Sequence, residues 1–285
     1  MEVELLQLVQ SFSHPLLEQF FLFITFFGNP IIWILFAAAI YWSGRDKESL
    51  YLTNLVLFSS AIVGILKGIV ASPRPSAEKF NVIAEDFYSP YSFPSGHSSL
   101  IAAVYAFYSE KLKPNMKIIF VLLVLLVAYS RLYLGVHFPL DVIVGLMLGY
   151  LIGKGNLWLV AKLKKTHFKI SKLGDELIVI ILIAIGMVAV LFFSNITLLA
   201  GLLGYYAGFF YAKEISLPNP APSKKELIPK IILGFAGIGA FAAAMEFGPF
   251  VFEAWKEFII YFIVGFYISF IFPLVYNGVI RRSKK

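Results

Sequence analysis

Long apolar runs recur along this 285-residue chain, and they constrain its fold more than any other feature. A bilayer core of about 30 Å requires roughly 20 apolar residues per helix. Several runs reach that length, whereas the alternating pattern of a membrane-spanning barrel is missing. Hydrophobic residues make up 59% of the chain and charged residues only 14%, which excludes a soluble domain of ordinary composition. The sequence therefore predicts an all-α, polytopic bundle of membrane helices.

We expect about nine transmembrane helices after an N-terminal amphipathic segment that lies in the membrane interface. Polar side chains interrupt Leu and Phe over residues 3–27, and Gly28-Asn29-Pro30 then breaks the helix. The predicted spans are 30–43, 50–70, 97–111, 116–132, 139–157, 176–194, 196–212, 229–248 and 257–279. This pattern predicts an interfacial segment (1–29), a core of five spans (30–160) and four additional helices (176–280) of unknown role.

The positive charges of the chain predict its orientation in the membrane. The net charge is +7, but the cations lie in short connections beside apolar runs, which is the pattern of membrane topology rather than of nucleic-acid binding. On the predicted arrangement, 19 of the 24 Lys and Arg side chains lie on one side and 5 on the other. Because cytoplasmic loops carry the excess of cations, the side with five is non-cytoplasmic. We expect an integral protein of the cell membrane that binds no nucleic acid.

Two short stretches at non-cytoplasmic helix ends favour anion binding. In the first, Lys67 ends a predicted span and Arg74-Pro75 follows it. Arg contacts two phosphate oxygens at once, whereas Lys offers a compact charge. In the second, Pro94-Ser95-Gly96-His97 opens a helix whose N-terminal N–H groups and dipole favour an anion, and Gly96 lets a phosphate approach the backbone. Taken singly, the two stretches also fit snorkelling cations and a plain helix start.

A third stretch adds a histidine and a carboxylate. Ser130-Arg131 ends the fourth predicted core span, and His137 and Asp141 follow with the i, i+4 spacing that places two side chains on one helix face. A carboxylate that holds one ring nitrogen leaves the other nitrogen to attack phosphorus. The pair is equally consistent with Asp141 as a helix cap and His137 as an interfacial residue. Together, however, the three stretches supply the cations, nucleophile and acid that phosphoryl transfer requires.

The three stretches resemble the tripartite signature of the type 2 phosphatidic acid phosphatase superfamily, in its membrane-bound branch. They read Lys67-x6-Arg74-Pro75, Pro94-Ser95-Gly96-His97 and Ser130-Arg131-x5-His137-x3-Asp141. Every signature position is matched, and the resemblance covers roughly residues 15–157. It implies that His137 is a nucleophile forming a phosphohistidine, that Asp141 orients it and that His97 is the general acid.

The same resemblance implies which residues bind the phosphate and which support the site. The phosphate-binding residues would be Lys67, Arg74, Ser95, Gly96 and Arg131. Ser130, Pro75 and Pro94 would be supporting residues. Neither a cofactor nor a divalent metal is implied, and the sequence shows no clustered His or paired-carboxylate ligand set at metal spacing.

The leading hypothesis is a membrane phosphatase that hydrolyses a lipid phosphate or diphosphate on the non-cytoplasmic side. The substrate is left open among phosphatidate, a glycerophosphate lipid, a polyprenyl diphosphate, a sphingoid phosphate and a sugar phosphate. One alternative is phosphoryl transfer from a polyprenyl diphosphate to another acceptor through the same phosphohistidine. Another is a lipid-moving membrane protein in which the phosphatase site is vestigial. The sequence does not indicate an oligomeric state.

Overall fold

The computed structural model describes residues 2–83, 89–165, 196–247 and 254–280. Its helices are α1 (Glu2–Gln10), α2 (Pro15–Thr25), α3 (Pro30–Trp42), α4 (Asp46–Val70), α5 (Gly96–Tyr108), α6 (Pro114–Tyr133), α7 (Pro139–Lys165), α8 (Ile196–Glu214), α9 (Lys224–Phe247) and α10 (Ala254–Phe266). Beyond α10 the chain stays helical to Ile280, with π-helical turns at Tyr267–Ile271 and Tyr276–Ile280. In these ranges the only β pairing is one isolated bridge, Pro73 to Tyr91, so the all-α prediction is confirmed there.

Every predicted span that lies in the described ranges falls on a helix, and 176–194 lies outside them. Five helical stretches are long and apolar enough to cross a membrane, namely Asp46–Val70, Pro114–Tyr133, Pro139–Lys162, Lys224–Ala243 and Glu257–Gly278. The pair Pro15–Gly28 and Pro30–Trp42, bent by 56°, makes a sixth if it counts as one span. The total of nine therefore remains a prediction.

The N-terminal segment forms two helices where the sequence pattern predicted one. α1 ends at Gln10 and α2 begins at Pro15. His14 causes the interruption, because its backbone is extended and its ring accepts a hydrogen bond from the Leu16 N–H, while Pro15 occupies the first helical position. Several of the apolar side chains of both helices are exposed, with Leu16 at 76%. Their interfacial position in a membrane remains a prediction.

The chain forms two compact units. The first contains Met1–Trp33 and Asn54–Ser194, and the second contains Ile34–Thr53 and Asn195–Lys285. Helices α3 and α4 therefore contribute residues to both units. All of the candidate site residues belong to the first unit.

The second unit is held by close helix packing and buried polar contacts. A Cβ added to Gly204 of α8 would lie 1.9 Å from the carbonyl oxygen of Phe262 in α10, so the two backbones are in direct contact. The buried Trp42 indole donates to the carbonyl of Ile268, 2.8 Å away, in the first π-helical stretch. A π-helical turn shifts the usual i to i−4 bonding pattern, and here one of its carbonyls accepts from a side chain.

In the first unit, α5 and α7 pack with their backbones in contact. The α5 residues from His97 to Val104 are all buried. Along α7, Gly145, Gly149 and Gly153 face the carbonyl oxygens of Ser95, Ser99 and Ala103, from which an added Cβ would lie 2.7, 2.0 and 2.3 Å, respectively. Side chains cannot be accommodated at those distances, so the glycine stripe allows the close approach. The contact places the start of α5 beside the start of α7.

Replacing Gly149 by Ala should force α5 away from α7, because the new methyl group would lie 2.0 Å from the Ser99 carbonyl oxygen. Overpacking of this kind costs about 1–3 kcal/mol, so the Tm of the detergent-purified protein should fall. Gly155→Ala on the same helix is the matched control, since a Cβ there meets nothing within 4 Å. Equal Tm values for the two variants would contradict the packing described here.

Candidate active site

The Pro94-Ser95-Gly96-His97 stretch opens α5, as the sequence predicts. Ser95 is the N-cap, with its hydroxyl accepting from the Ser98 N–H, and α5 begins at Gly96. The backbone N–H of Ser95 donates to the carbonyl of Asp141, 2.9 Å away. This bond joins the second sequence stretch directly to the third.

Few atoms of the described residues lie near the position that a side chain would take at Gly96. Among the described residues, a Cβ added there would meet only Val63 Cγ1, at an ordinary contact distance of 3.6 Å. Packing against those residues therefore does not require glycine at position 96. The geometry leaves room for a ligand to approach the backbone at the helix N-terminus, where N–H groups and the helix dipole favour an anion.

His137 does not lie on the same helix as Asp141, in contrast to the sequence-based expectation. α7 begins only at Pro139, and His137 occupies the turn before it. The two side chains nevertheless meet, with His137 Nδ1 3.4 Å from Asp141 Oδ2. Pro139 explains the difference, because proline favours the first helical position and so fixes the helix start two residues after the histidine.

Asp141 both caps α7 and contacts the histidine. Its Oδ2 accepts a hydrogen bond from the Phe138 N–H at 2.7 Å, which is the reciprocal half of a capping box at the third helical position. Asp141 therefore caps α7 and also contacts His137, and its role in orienting the histidine stays a prediction. Asp141 is 3% exposed and His137 is fully buried, so their interaction is only weakly screened by solvent.

Ser92 is a site residue that sequence reasoning missed. Its hydroxyl donates to Asp141 Oδ2 and lies 3.2 Å from His137 Nδ1. The side chain is fully buried. No spacing rule links a loop serine to a turn 45 residues later, and the contact exists only because the loop before α5 folds against the start of α7.

Lys67 holds that loop in place. As predicted, it lies in the last turn of α4. Its ammonium group donates to the carbonyls of Tyr91 at 2.5 Å and Ser92 at 2.9 Å. The helix ends shortly afterwards, with Ala71 at a positive φ of 47°. The first sequence stretch is thereby bonded to the loop that leads into the second.

Arg74 connects the same loop to the third stretch. Its guanidinium donates to the carbonyl of Ser89 through Nε and Nη2, at 3.1 and 3.0 Å. Nη1 donates to the carbonyl of Val136, 2.9 Å away. Val136 precedes His137, so this cation positions the turn that carries the histidine. All three sequence stretches are therefore brought together by direct hydrogen bonds.

Arg131 and Ser130 occupy the last turn of α6 but differ in their contacts. Arg131 is 2% exposed, and its Nη1 donates to the hydroxyl of Thr25 at 2.7 Å. The Ser130 hydroxyl instead donates to the carbonyl of Val127 in its own helix, 2.6 Å away. The predicted supporting residues Pro75 and Pro94 are both buried.

The site is a cationic and largely dehydrated group of side chains at one end of α4 to α7. Lys67, His97, Arg131, His137 and Asp141 are all buried, and electrostatic interactions are stronger in such surroundings than in water. In the part of the chain that the structure describes, no three His, Asp or Glu side chains gather as metal ligands would. The arrangement is suited to holding a small tetrahedral anion beside an imidazole that a carboxylate orients.

Fold and site together define an integral membrane protein with buried histidines and cations at one end of its helices. The chain belongs to the PAP2 superfamily, whose model matches residues 48–167. It is 33% identical over 155 residues to an undecaprenyl-diphosphatase of Sulfolobus acidocaldarius, a match that covers 52% of this chain and 72% of that protein.

The chain is also similar to two further proteins. The chain is 27% identical over 186 residues to lipid phosphate phosphatase delta of Arabidopsis thaliana, covering 60% of this chain and 44% of that protein, so it spans less than half of the plant relative's length. A crystal structure of a transmembrane PAP2 type phosphatidylglycerolphosphate phosphatase from Bacillus subtilis is 27% identical, with a TM-score of 0.46, covering 59% of this chain and 87% of that one.

Replacing Ser92 by Ala should lower kcat for phosphate release and leave KM nearly unchanged. The hydroxyl contacts Asp141 and His137, the residues that the family resemblance implies for attack on phosphorus rather than for binding the phosphate. A hydrogen bond to a charged group contributes about 1.5–3 kcal/mol, which corresponds to a loss of roughly 10- to 100-fold.

Ser109→Ala is the matched control for this substitution. Ser109 is also buried, but its hydroxyl bonds to the Ala106 carbonyl at the opposite end of α5, 3.0 Å away. An unchanged kcat in Ser92→Ala, measured beside this control, would show that the serine does not orient the histidine.

Proposed function

We propose that this protein is a membrane phosphatase that hydrolyses a lipid phosphate or lipid diphosphate through a phosphohistidine on His137. The observation that carries the proposal is the fully buried imidazole, with its Nδ1 between Asp141 Oδ2 and the Ser92 hydroxyl. When a carboxylate and a hydroxyl hold Nδ1, the nucleophilic role falls to Nε2. Membership of the PAP2 superfamily supports the same chemistry.

The proposed reaction has two steps. In the first, His137 Nε2 forms a bond to phosphorus while the bond from phosphorus to the leaving oxygen breaks, and His97 gives its proton to that oxygen. In the second, a water molecule attacks the phosphohistidine and transfers a proton to His97. The phosphorus–nitrogen bond then breaks, and inorganic phosphate leaves with both groups restored.

The cationic residues stabilise the negative charge of the phosphoryl group in both steps. Lys67, Arg74 and Arg131 supply three positive charges, and the backbone N–H of Gly96 at the start of α5 adds a neutral donor. Positive charge of this kind does the work that a divalent metal does in other phosphoryl-transfer sites. We therefore propose that the reaction requires no metal ion.

The proposed substrate is a lipid whose phosphate lies at the level of the headgroups. The site is at the ends of membrane helices, and the Sulfolobus and Arabidopsis relatives are named for undecaprenyl diphosphate and lipid phosphate. A helix end at the membrane surface meets a lipid phosphate without removing the acyl chain from the bilayer. These features favour a lipid or polyprenyl substrate over a soluble phosphate ester.

We propose that the site faces the non-cytoplasmic side. The candidate residues lie at the end of α4, the start of α5, the end of α6 and the start of α7. Lys111, Lys113 and Lys117 lie at the opposite ends of α5 and α6. Because short cytoplasmic connections are enriched in Lys and Arg, this distribution supports a site that opens away from the cytoplasm.

The direct test is phosphate release by detergent-purified protein from a panel of phosphatidate, phosphatidylglycerophosphate, undecaprenyl diphosphate, sphingosine 1-phosphate and glucose 6-phosphate, with excess chelator. The wild type should release phosphate from at least one lipid, and His137→Ala should lose activity by about three orders of magnitude or more. Release only in the presence of an acceptor lipid would indicate phosphoryl transfer instead. Lipid movement between vesicles without phosphate release would indicate a vestigial site.

Replacing His97 by Ala should slow the hydrolysis of an alkyl lipid phosphate far more than that of an activated aryl phosphate. A poor leaving oxygen needs the proton that His97 supplies, and a general acid contributes roughly 100- to 10,000-fold. An aryl leaving group departs without that help. The measurement is kcat/KM on both substrates, and an equal loss on the two would contradict the acid role of His97.

A further inference from the structure

The break between α2 and α3, residues 25–29, contacts residues of the candidate site. Gly28 is the buried last residue of the 3₁₀ turn Phe26–Gly28, which directly follows α2. A Cβ added to Gly28 would lie 2.6 Å from His97 Cβ and 2.9 Å from His97 Cδ2. It would also lie 2.9 Å from Val127 Cγ1 in α6. A side chain at position 28 would therefore have to displace the histidine ring or separate α2 from α6.

The same break contacts a second site residue. Thr25, the last residue of α2, accepts a hydrogen bond from Arg131 Nη1 at 2.7 Å. Arg131 is almost completely buried, so its guanidinium orientation is determined by the groups around it. A hydrogen bond from a charged donor is stronger than one between neutral groups, so this bond favours one orientation of the guanidinium.

The break itself is held by α3. The Asn29 side chain accepts from the Ile31 N–H at 2.9 Å and so caps α3. The Trp33 indole donates to the carbonyl of Phe27, 2.8 Å away. The chain turns by 56° between the two helices. The turn is therefore fixed by its own hydrogen bonds, and it can act as a rigid support for the residues that touch it.

We propose that the α2–α3 break is a positioning element for the proposed reaction, in which Gly28 sets the position of the His97 ring and Thr25 orients the Arg131 guanidinium. The inference rests on the roles proposed above for His97 and Arg131. Gly28 and Thr25 are positioning residues, since each acts through a side chain of the site. The absence of a side chain at Gly28 is the feature that matters, because it lets the imidazole approach the turn.

The first test is Gly28→Ala, assayed as kcat/KM on an alkyl lipid phosphate and on an activated aryl phosphate. The loss should be at least tenfold larger on the alkyl substrate, which is the signature expected of His97→Ala. In the double variant with His97→Ala, Gly28→Ala should cause no further selective loss. Gly155→Ala is the matched control, because a Cβ there meets nothing within 4 Å. An equal loss on both substrates would mean that Gly28 serves packing alone, and it would overturn the inference.

The second test uses Thr25, which can be changed without adding bulk at the turn, and it keeps the inference testable if Gly28→Ala does not fold. Thr25→Val removes one acceptor of Arg131, and the inhibition constant for inorganic phosphate should rise by roughly tenfold. Thr25→Ser retains the hydroxyl and should restore the wild-type constant. A valine variant that binds phosphate as tightly as the wild type would overturn the role of Thr25.

The two proposals fail in different ways. If His97→Ala itself loses activity equally on both substrates, the acid role of His97 is wrong and the proposed function must be revised. If His97→Ala shows the selective loss and Gly28→Ala does not, the proposed function stands and only the positioning role of the α2–α3 break is wrong.

Discussion

The backbone contact between α5 and α7 is the constraint on which the site depends. Three glycines of α7 let the two helices approach until carbonyl oxygens of α5 occupy the space that side chains would fill. At the end of this contact, the N–H of Ser95 bonds to the carbonyl of Asp141. The start of α5 and the turn that carries His137 are therefore fixed relative to one another by main-chain geometry. A site assembled in this way keeps its spacing without relying on flexible side chains.

The cations of the site hold its loops in place and also supply its positive charge. Lys67 and Arg74 donate to main-chain carbonyls of the loop before α5 and of the turn before His137. Buried carbonyls need donors, and charged donors form stronger hydrogen bonds than neutral ones. Removing either cation would therefore loosen the loop that carries Ser92 as well as weaken anion binding. Loss of activity in such variants alone would not separate the two effects.

Local features of the site were predictable from sequence, whereas contacts between distant segments were not. Ser95 as a helix cap and Lys67 in a last helical turn follow from capping and span-end rules, and both are confirmed. The helical placement of His137 was wrong because Pro139 starts α7 later than the i, i+4 pattern implied. Ser92 and Gly28 act across long sequence separations, for which spacing rules offer no signal. The sequence analysis did not single out the glycines at 145, 149 and 153, and only the structure shows which helix they contact.

The shortness of α5 explains why the loops around it are so thoroughly bonded. Its 13 residues rise only about 20 Å, less than the roughly 30 Å of a bilayer core. The residues that lead into α5 have an irregular backbone and lie buried beside its start, Ser92, Pro94 and Ser95 among them. Buried irregular backbone must satisfy its carbonyls within the protein. The bonds from Lys67 and Arg74 to carbonyls of the loop before α5 and of the turn before His137 meet this requirement, and they fix the shape of the candidate site.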